Sequence, residues 1–232
     1  MASNQTGHKE YYIIEESVMK IVIFGGSGGL GSQMTEMFKD QHDVISLSSK
    51  ELDITNLTEV IEFFKKNPTD VVLNLSGYNY DSFLHRITPV NEEQVNKVID
   101  VNSKGNVNIL AGCLPHMREQ NFGRVIIISS VLSGKSVVGT SVYSSTKAFI
   151  DTLVRVASAE NISKGVTCNS IRLGYFDAGM CHRLPEKASE HIKNSIGLKR
   201  WGSMQELYNT INYMIQTEYF TGQNLEISGG LQ

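Results

Sequence analysis

The sequence has no long apolar run, no surplus of charge of one sign, and little cysteine or proline. Of its 232 residues, 3 are cysteine and 4 are proline, and the formal net charge is −3. The longest apolar runs are only as long as a β-strand, so we predict neither a transmembrane segment nor a membrane partner. Without a basic surplus, no nucleic-acid partner is predicted either.

The cysteines form no pattern typical of a disulfide framework or a metal site. Cys113, Cys168 and Cys181 are odd in number, and no pair has Cys-x-x-Cys or zinc-like spacing. This usage predicts reduced thiols in a cytoplasmic protein. His182 and His191 lie near Cys181, but we interpret this stretch as an ordinary loop and predict no metal ligand.

Length and composition predict one catalytic domain preceded by an extension. Residues 1–18 are polar and lack the basic-then-apolar order of a signal peptide, which predicts a flexible N-terminal extension. Alternatively, residues 11–14 form an extra edge strand or pack on a neighbouring subunit. Residues 19–232 are enough for one substantial core, so we predict a single domain there.

A glycine-rich turn follows the first predicted strand. The apolar residues 20–24 run directly into a turn, after which a helical pattern begins. Glycines let the backbone turn sharply and approach a ligand, while the positive end of the helix attracts a pyrophosphate. We therefore predict a dinucleotide site here. Its residues are Gly25, Ser27, Gly28, Gly29, Leu30 and Gly31.

A tyrosine and a lysine four residues apart follow a predicted strand that leads into a serine. On a helix, Tyr143 and Lys147 would share one face, and Ser130 lies just beyond the apolar run 125–128. A neighbouring ammonium group lowers the pKa of a phenol, so Tyr143 is predicted to act as a general acid. Ser130 would hydrogen-bond a carbonyl oxygen and hold it for protonation.

Together these motifs resemble the short-chain dehydrogenase/reductase family, from about Lys20 to the C-terminus. The matching positions are Gly25, Gly29 and Gly31 for the glycine motif, Asn74, Ser76 and Gly77 for its Asn-Ala-Gly motif, Asn102 for its helix asparagine, and Ser130, Tyr143 and Lys147 for its catalytic set. The Pro-Gly stretch after the family's sixth strand is similar to residues 173–180.

The resemblance implies hydride transfer between a nicotinamide cofactor and a carbonyl carbon. Tyr143 would donate the proton, and Ser130 would orient the carbonyl oxygen. Lys147 would lower the pKa of Tyr143 and hydrogen-bond the nicotinamide ribose, while Asn102 would hold a water that links Lys147 to solvent. The resemblance also implies a homotetramer or homodimer, built through the helices that contain Asn102 and Tyr143.

The second predicted strand bears on the choice of cofactor. By resemblance, Asp53 would accept a hydrogen bond from the adenine amino group beside the Ile54 backbone, although Asp53 could instead cap a helix or a turn. The tip of the strand carries Ser48, Ser49 and Lys50, which favours NADP(H). NAD(H) remains possible, because Gly28 replaces an arginine common in NADP-dependent relatives and Glu51 lies nearby.

Two family positions after the sixth strand differ in this chain. Leu173 replaces a proline, and Ala178 replaces the threonine that usually holds the nicotinamide carboxamide. Low cofactor affinity follows unless Asp177 or nearby backbone groups replace that threonine. The complete set of predicted cofactor contacts adds to the glycine turn Ser48, Ser49, Lys50, Asp53, Ile54, Asn74, Ser76, Gly77, Tyr143, Lys147, Gly174 and Phe176.

Alternating strand and helix patterns predict an α/β fold with a Rossmann-type, doubly wound parallel sheet in three layers. Predicted strands are 20–24, 44–47, 71–75, 124–129, 166–172 and 225–227, and predicted helices are 30–39, 57–66, 93–119, 141–163 and 204–216. Between residues 47 and 56 there is no room for the helix that the family usually inserts.

The substrate is the least determined property. Residues 179–200 match the family's variable lid and carry mixed charges, which indicate either a solvated face or recognition of a phosphate-bearing or carrier-protein-bound substrate. Of two basic positions that dock carrier protein in 3-oxoacyl reductases, one falls on Lys164 but the other on Asn121. We predict a 3-oxoacyl carrier protein reductase type of enzyme. The alternatives are a sugar or sugar-nucleotide ketoreductase and a non-catalytic NAD(P)-binding regulatory protein.

Overall fold

The computed structural model describes residues 17–179 and 181–231, apart from the side chain of Arg183. Nearly all of the predicted N-terminal extension, including residues 11–14, lies outside the described residues. Within them, six strands form one all-parallel sheet in the order β2-β1-β3-β4-β5-β6. The strands are β1 Lys20–Phe24, β2 Asp43–Leu47, β3 Val71–Asn74, β4 Gly123–Ile128, β5 Val166–Leu173 and β6 Asn224–Ile227.

Helices cover both faces of the sheet. They are α1 Gly29–Phe38, α2 Leu57–Lys66, α3 Glu92–Ile99, α4 Gly105–Gln120, α5 Ser141–Asn161, α6 Glu186–Ser195 and α7 Met204–Gln216. One apolar cluster joins the sheet to α2, α4 and α5, and a second joins the opposite face to α1 and α7. The predicted three-layer, doubly wound fold is confirmed.

The central strands are buried on both faces, and their composition explains why they were predictable. Strands β3 and β4 are buried throughout, as is β1 from Ile21 onward, and all three are rich in valine and isoleucine.

Helix ends also follow local chemistry. The Asn56 side chain caps α2 by accepting from the amides of Thr58 and Glu59, and Ser203 and Glu206 form a capping box at α7.

The helix predicted over residues 93–119 is divided in two. A wider π-helical turn, Asp100–Lys104, joins α3 to α4, and Asn102 is buried within it. Just beyond it, Gly105 packs against Ile54, so closely that a Cβ at Gly105 would lie 2.7 Å from Ile54 Cδ1. Such turns occur at functional sites because they redirect single side chains without ending the helix. Here the turn lies at the predicted helix asparagine.

The predicted absence of a helix between residues 47 and 56 is confirmed. Residues 48–56 form a tight turn in which the amides of Glu51 and Leu52 both donate to the Ser48 carbonyl, and β2 is the edge of the sheet. Helix α6 was not predicted separately from the lid segment.

Among the described residues, no helix has the length and apolar character needed to cross a bilayer.

Candidate functional site

The predicted catalytic and cofactor residues converge at the carboxyl ends of β1, β3, β4 and β5. In an open parallel sheet this edge is where ligands bind, since the strand order reverses direction between β1 and β3. Helix α5 brings Tyr143 and Lys147 to the same edge.

Lys147 is held rigidly at the end of β4. Its side chain is buried, and Nζ donates to the Ile128 carbonyl at 2.9 Å. The Lys147 carbonyl in turn accepts from the Ser129 hydroxyl at 3.1 Å. Nζ lies 5.6 Å from the centre of the Tyr143 ring. The i, i+4 spacing therefore places the two side chains together, as predicted.

The pKa of Tyr143 does not change in the predicted direction. Burial raises it, a hydrogen bond with the Ser130 side chain acts in the opposite sense, and the charge of Asp81 adds to the rise. Burial also lowers the pKa of Lys147 to about 8, with the nearby Asp151 carboxylate opposing that change. Lys147 Nζ donates to Ile128 instead of the phenol, and burial is the largest influence on the Tyr143 pKa.

Asn102 is bonded to the loop after β3. Its Oδ1 accepts from the Tyr78 amide and its Nδ2 donates to the Tyr78 carbonyl, both at 2.8 Å, and Nδ2 also donates to the Thr146 hydroxyl at 3.1 Å. A Cβ added at Gly77 would lie 3.5 Å from Lys147 Nζ and 3.6 Å from Asn102 Oδ1. Lys147 and Asn102 therefore border the same small space.

A chain of buried asparagines extends this network, and one of them was missed. Asn74 donates to Asn106 Oδ1 at 2.7 Å, and Asn106 donates to the Asn102 carbonyl at 2.7 Å. Asn74 Oδ1 accepts from the Ser76 amide at 3.0 Å. The i, i+4 spacing of Asn102 and Asn106 was a usable signal, because it places both on one helix face. Thr146, which bonds Asn102, was also missed.

The glycine turn is packed so tightly that side chains would not fit. Gly25 has φ +81°, and a Cβ there would lie 2.7 Å from the Ser76 amide nitrogen. A Cβ at Gly31 would lie 2.1 Å from the Gly25 carbonyl oxygen. Gly28 begins α1 without a side-chain cap, so Gly29 and Leu30 form a first turn of the kind that binds phosphate. Ser27 precedes it and is exposed.

The segment after β5 covers this turn. A Cβ at Gly29 would lie 2.4 Å from Gly179 Cα, so the two backbones are in direct contact. Gly174 is equally confined, since a Cβ there would lie 2.8 Å from Ser228 Cα. The Phe176 ring is buried against Gly202, which leaves only its backbone for a cofactor contact. Asp177 pairs with His182 at 2.8 Å and caps no helix in the described residues.

The tip of β2 carries both the predicted phosphate-binding groups and a carboxylate. Ser49 and Lys50 are exposed, and the Lys50 amide donates to the Ser48 hydroxyl at 3.3 Å. Glu51 folds back so that its Oε2 accepts from the Ser48 amide at 2.7 Å, and these bonds to Ser48 lower the pKa of Glu51. A negative charge therefore lies where the second hydroxyl or phosphate of the adenosine ribose is expected.

Asp53 makes a local turn. Its Oδ1 accepts from the Thr55 amide at 2.9 Å and from the Thr55 hydroxyl at 2.8 Å. Asp53 therefore stabilises a turn, which was the alternative interpretation of this residue. Ile54 is buried and its carbonyl accepts from Asn108. The adenine contact of Asp53 stays a prediction.

Elsewhere, the three cysteines are free and buried, and no cluster of three or more His, Cys, Asp or Glu suitable for a metal occurs among the described residues.

Comparisons with known proteins agree on one family. Residues 30–232 match a family model described as enoyl-(acyl carrier protein) reductase. The chain is 30% identical over 177 residues to the 3-oxoacyl-acyl-carrier-protein reductase FabG of Staphylococcus aureus, covering 75% of this chain and 70% of that protein. It is 27% identical over 232 residues to the protein of the same name from Rickettsia felis, covering 90% and 95%.

A solved structure extends the comparison to the fold. It is provisionally named a gluconate dehydrogenase, from Agrobacterium tumefaciens, and superimposes with a TM-score of 0.83 at 23% identity. The superposition covers 92% of this chain and 95% of that one. The shared architecture therefore includes the strands and loops that carry the site described above.

Proposed function

Because this chain belongs to the short-chain dehydrogenase/reductase family and is an NAD(P)-dependent oxidoreductase, we propose that it reduces a ketone to a secondary alcohol. The proposed substrate type is that of its FabG relatives, a 3-oxoacyl thioester on a carrier protein. The observation that supports the proposal most strongly is that the buried Lys147 and Asn102 border one small space beside Gly77, with the half-buried Tyr143 ring centred 5.6 Å from Lys147 Nζ. A protein that only bound a nucleotide would not need this arrangement.

The residues at the sheet edge fit a dinucleotide. The glycine turn leaves no room for side chains, and the uncapped start of α1 suits a pyrophosphate. Gly25, Gly29 and Leu30 would hold the pyrophosphate, Asp53 and the Ile54 backbone the adenine, and Lys147 the nicotinamide ribose. The bound cofactor supplies the hydride for the carbonyl carbon.

Tyr143 is the proposed proton donor. Its raised pKa keeps the phenol protonated at neutral pH, and the Ser130 hydroxyl, which influences that pKa, would be the second donor to the carbonyl oxygen. Ser130 stays oriented because its Oγ also accepts from the Leu132 amide at 3.1 Å. After transfer, the phenolate would recover a proton through Lys147 and a water bound between Lys147 and Asn102.

We propose NADP(H) as the preferred cofactor, from Ser48, Ser49 and Lys50 at the tip of β2. Glu51 supports the competing choice, NAD(H), because its carboxylate would repel a 2′-phosphate and accept from a ribose diol. Kinetics with both reduced cofactors distinguish the two choices.

The structure gives a reason for the incomplete carrier-protein docking signal. Lys164 is exposed, and Gly165 beside it contacts the Asn121 carbonyl, so the two docking positions are neighbours. Asn121 ends α4 with φ +56°, a conformation that asparagine tolerates better than arginine or lysine. Because only one of the two docking positions is basic, a keto sugar or sugar nucleotide is kept as the second candidate substrate.

A dimer or tetramer is proposed from the outer faces of α4 and α5. Val107, Phe149 and Val156 are 42%, 40% and 51% exposed there, and uncovered apolar side chains of this kind favour association. Replacing Phe149 and Val156 by serine should shift the protein to a smaller species in analytical ultracentrifugation. Val138→Ser, in an exposed loop, is the control, and an unchanged sedimentation coefficient would contradict the proposal.

The reductase proposal is tested by cofactor consumption. Wild type and Tyr143→Phe are assayed with NADPH and NADH against 3-oxoacyl thioesters, keto sugars and simple ketones. Turnover should fall about 10²- to 10⁴-fold in the variant, while cofactor affinity changes little. Tyr213→Phe, on the exposed face of α7, is the matched control. Tight cofactor binding without consumption of any substrate would favour the regulatory alternative.

A further inference from the structure

An open basin of about 580 Å³ lies beside the proposed site, where α6, α7 and the segment after β5 meet. We call it the Trp201 basin; its lining includes Asp177, Lys193, Lys199, Arg200, Trp201 and Glu206. None of these residues belongs to the predicted cofactor contacts or to the catalytic set.

The basin adjoins the sheet edge that carries Tyr143 through an aromatic neighbour. The Trp201 ring centre is 5.8 Å from that of Tyr175, which lies just after the end of β5 at that edge. Backbone hydrogen bonds fix this pairing, because the Gly202 amide donates to the Tyr175 carbonyl at 2.9 Å and the Asp177 amide donates to the Gly202 carbonyl at 2.8 Å. A substrate with its carbonyl at Tyr143 would extend past Tyr175 towards Trp201.

Two lysines of the basin lack a neutralising partner. Arg200 is occupied by a bidentate pair with Glu206, at 2.9 and 2.7 Å, and Asp177 is paired with His182. In the described part of the chain, neither Lys193 nor Lys199 forms an ion pair. Lys193 Nζ lies 5.2 Å from the Trp201 ring centre. Lys199 Nζ donates to the Asn194 carbonyl, and the Asp177 carboxylate also belongs to the lining. The basin therefore presents two ammonium groups, neither of them paired with a carboxylate, beside an aromatic wall.

The backbone at Lys199 is held in an uncommon conformation. Its φ is +55°, one of two positive values among the described non-glycine residues. The Lys199 amide donates to the Ile196 carbonyl at 3.0 Å, and the preceding Leu198 amide donates to the Gly229 carbonyl at 3.0 Å. A lysine persists in this region only where the surrounding structure imposes it, and such positions cluster at ligand sites.

We propose that the Trp201 basin binds a phosphate group carried by the ketone substrate, with Lys193 and Lys199 as its donors. The inference rests on the proposed function and names its substrate class. A terminal phosphate monoester or a diphosphate carries up to two negative charges at neutral pH, and the phosphodiester of carrier-bound phosphopantetheine carries one. Ammonium groups from two lysines suit either kind of phosphate. Trp201 and Tyr175 would contact the part of the substrate between the phosphate and the carbonyl.

Two sources would present this chemistry. One is a 3-oxoacyl thioester of phosphopantetheine, and the other is a keto sugar attached to a nucleoside diphosphate. Both place a phosphate away from the reacting carbonyl, so the test includes one ligand of each kind with its phosphate-free counterpart: 4′-phosphopantetheine with pantetheine, and uridine diphosphate with uridine.

Binding is measured through Trp201, the single tryptophan of the chain. Its fluorescence is titrated with each ligand in the presence of saturating NADP⁺, which occupies the cofactor's own phosphate sites. The basin variant is Lys193→Gln/Lys199→Gln. The control variant, Lys66→Gln/Lys187→Gln, loses the same charge from exposed positions outside the basin.

At least one phosphate-bearing ligand should bind wild type and the control variant equally, and the basin variant about tenfold more weakly. Its phosphate-free counterpart should not distinguish the three proteins. The ligand that shows the effect names the source. If neither phosphate-bearing ligand binds wild type more tightly than its counterpart, or if the lysine changes leave both affinities unaltered, the proposal is overturned.

A kinetic measurement separates this inference from the proposed function. The ratio of KM values for acetoacetyl-pantetheine and acetoacetyl-phosphopantetheine should favour the phosphate-bearing substrate in wild type and fall towards one in the basin variant. Turnover of both thioesters with a ratio near one in wild type would overturn the basin and leave the reductase standing. Lysine-dependent binding without turnover of any ketone would overturn the reductase while supporting the phosphate site.

Discussion

Lys147 Nζ donates to the Ile128 carbonyl at 2.9 Å, so the lysine proposed for catalysis is bonded to the last residue of a buried strand. The bond fixes the ammonium group, but it provides only one acceptor in an environment that excludes water. Burial consequently lowers the pKa of Lys147 to about 8. A charge kept in such a place costs stability, and its retention is typical of a functional group.

Lys147→Met should therefore stabilise the protein near neutral pH. The folded pKa lies near 8 and the unfolded value near 10.5, so the unfolded chain binds more protons between these values and wild-type stability rises with pH across that window. We expect the variant to be more stable by roughly 1–3 kcal/mol at pH 7, with the advantage shrinking towards pH 10.5. Urea unfolding at several pH values measures this, with exposed Lys66→Met as control. A difference independent of pH would contradict the assignment.

Asp151 is expected to hold the charge of Lys147. It is buried on the same face of α5, pairs with Arg172 at 2.7 Å and opposes the fall in the Lys147 pKa. Asp151→Asn should lower that pKa further and move the alkaline limb of kcat/KM to lower pH by roughly half to one unit. Asp100→Asn, which changes an exposed carboxylate, is the control. If the alkaline limb of kcat/KM lies at the same pH in wild type and in both variants, Asp151 does not hold the charge of Lys147.

Glu51→Gln should improve the use of NADPH. The substitution keeps an acceptor for the Ser48 amide but removes the negative charge from the tip of β2. We expect the KM for NADPH to fall several-fold and that for NADH to stay constant or rise. Glu119→Gln, at an exposed position on α4, is the control for the lost charge. A parallel change of both KM values would show that Glu51 does not select the cofactor.

Gly29→Ala should weaken cofactor binding. The new methyl group would lie 2.4 Å from Gly179 Cα, so the glycine turn and the segment after β5 would have to separate. A rise of about tenfold or more in the Kd for NADPH is expected in calorimetric titration, with smaller effects on folding. Gly134→Ala is the matched control, since its nearest neighbour is Arg172 at 3.6 Å. Wild-type affinity in Gly29→Ala would show that the contact is easily relaxed.

Local sequence determined most of the elements of this protein and the identity of its central motifs. Each strand end lies within one residue of its predicted position, and the central strands β1, β3 and β4 were recognisable as short apolar runs. Tyr143 and Lys147 share a helix face because four residues make about one turn. The glycine turn was also predictable from local sequence, since the strand, the turn and the helix follow one another directly along the chain.

Tertiary structure decided what depends on distant parts of the chain. The π-helical turn at Asn102 forms where that side chain bonds Tyr78, 24 residues away, and no local period signals it. The pKa of Tyr143 rises because burial, which comes from packing, is the largest influence on it. The pairing of Trp201 with Tyr175 follows from backbone bonds between two loops. Spacing along a helix specifies which side chains are neighbours, whereas only the packed fold determines their solvent exposure and their distant partners.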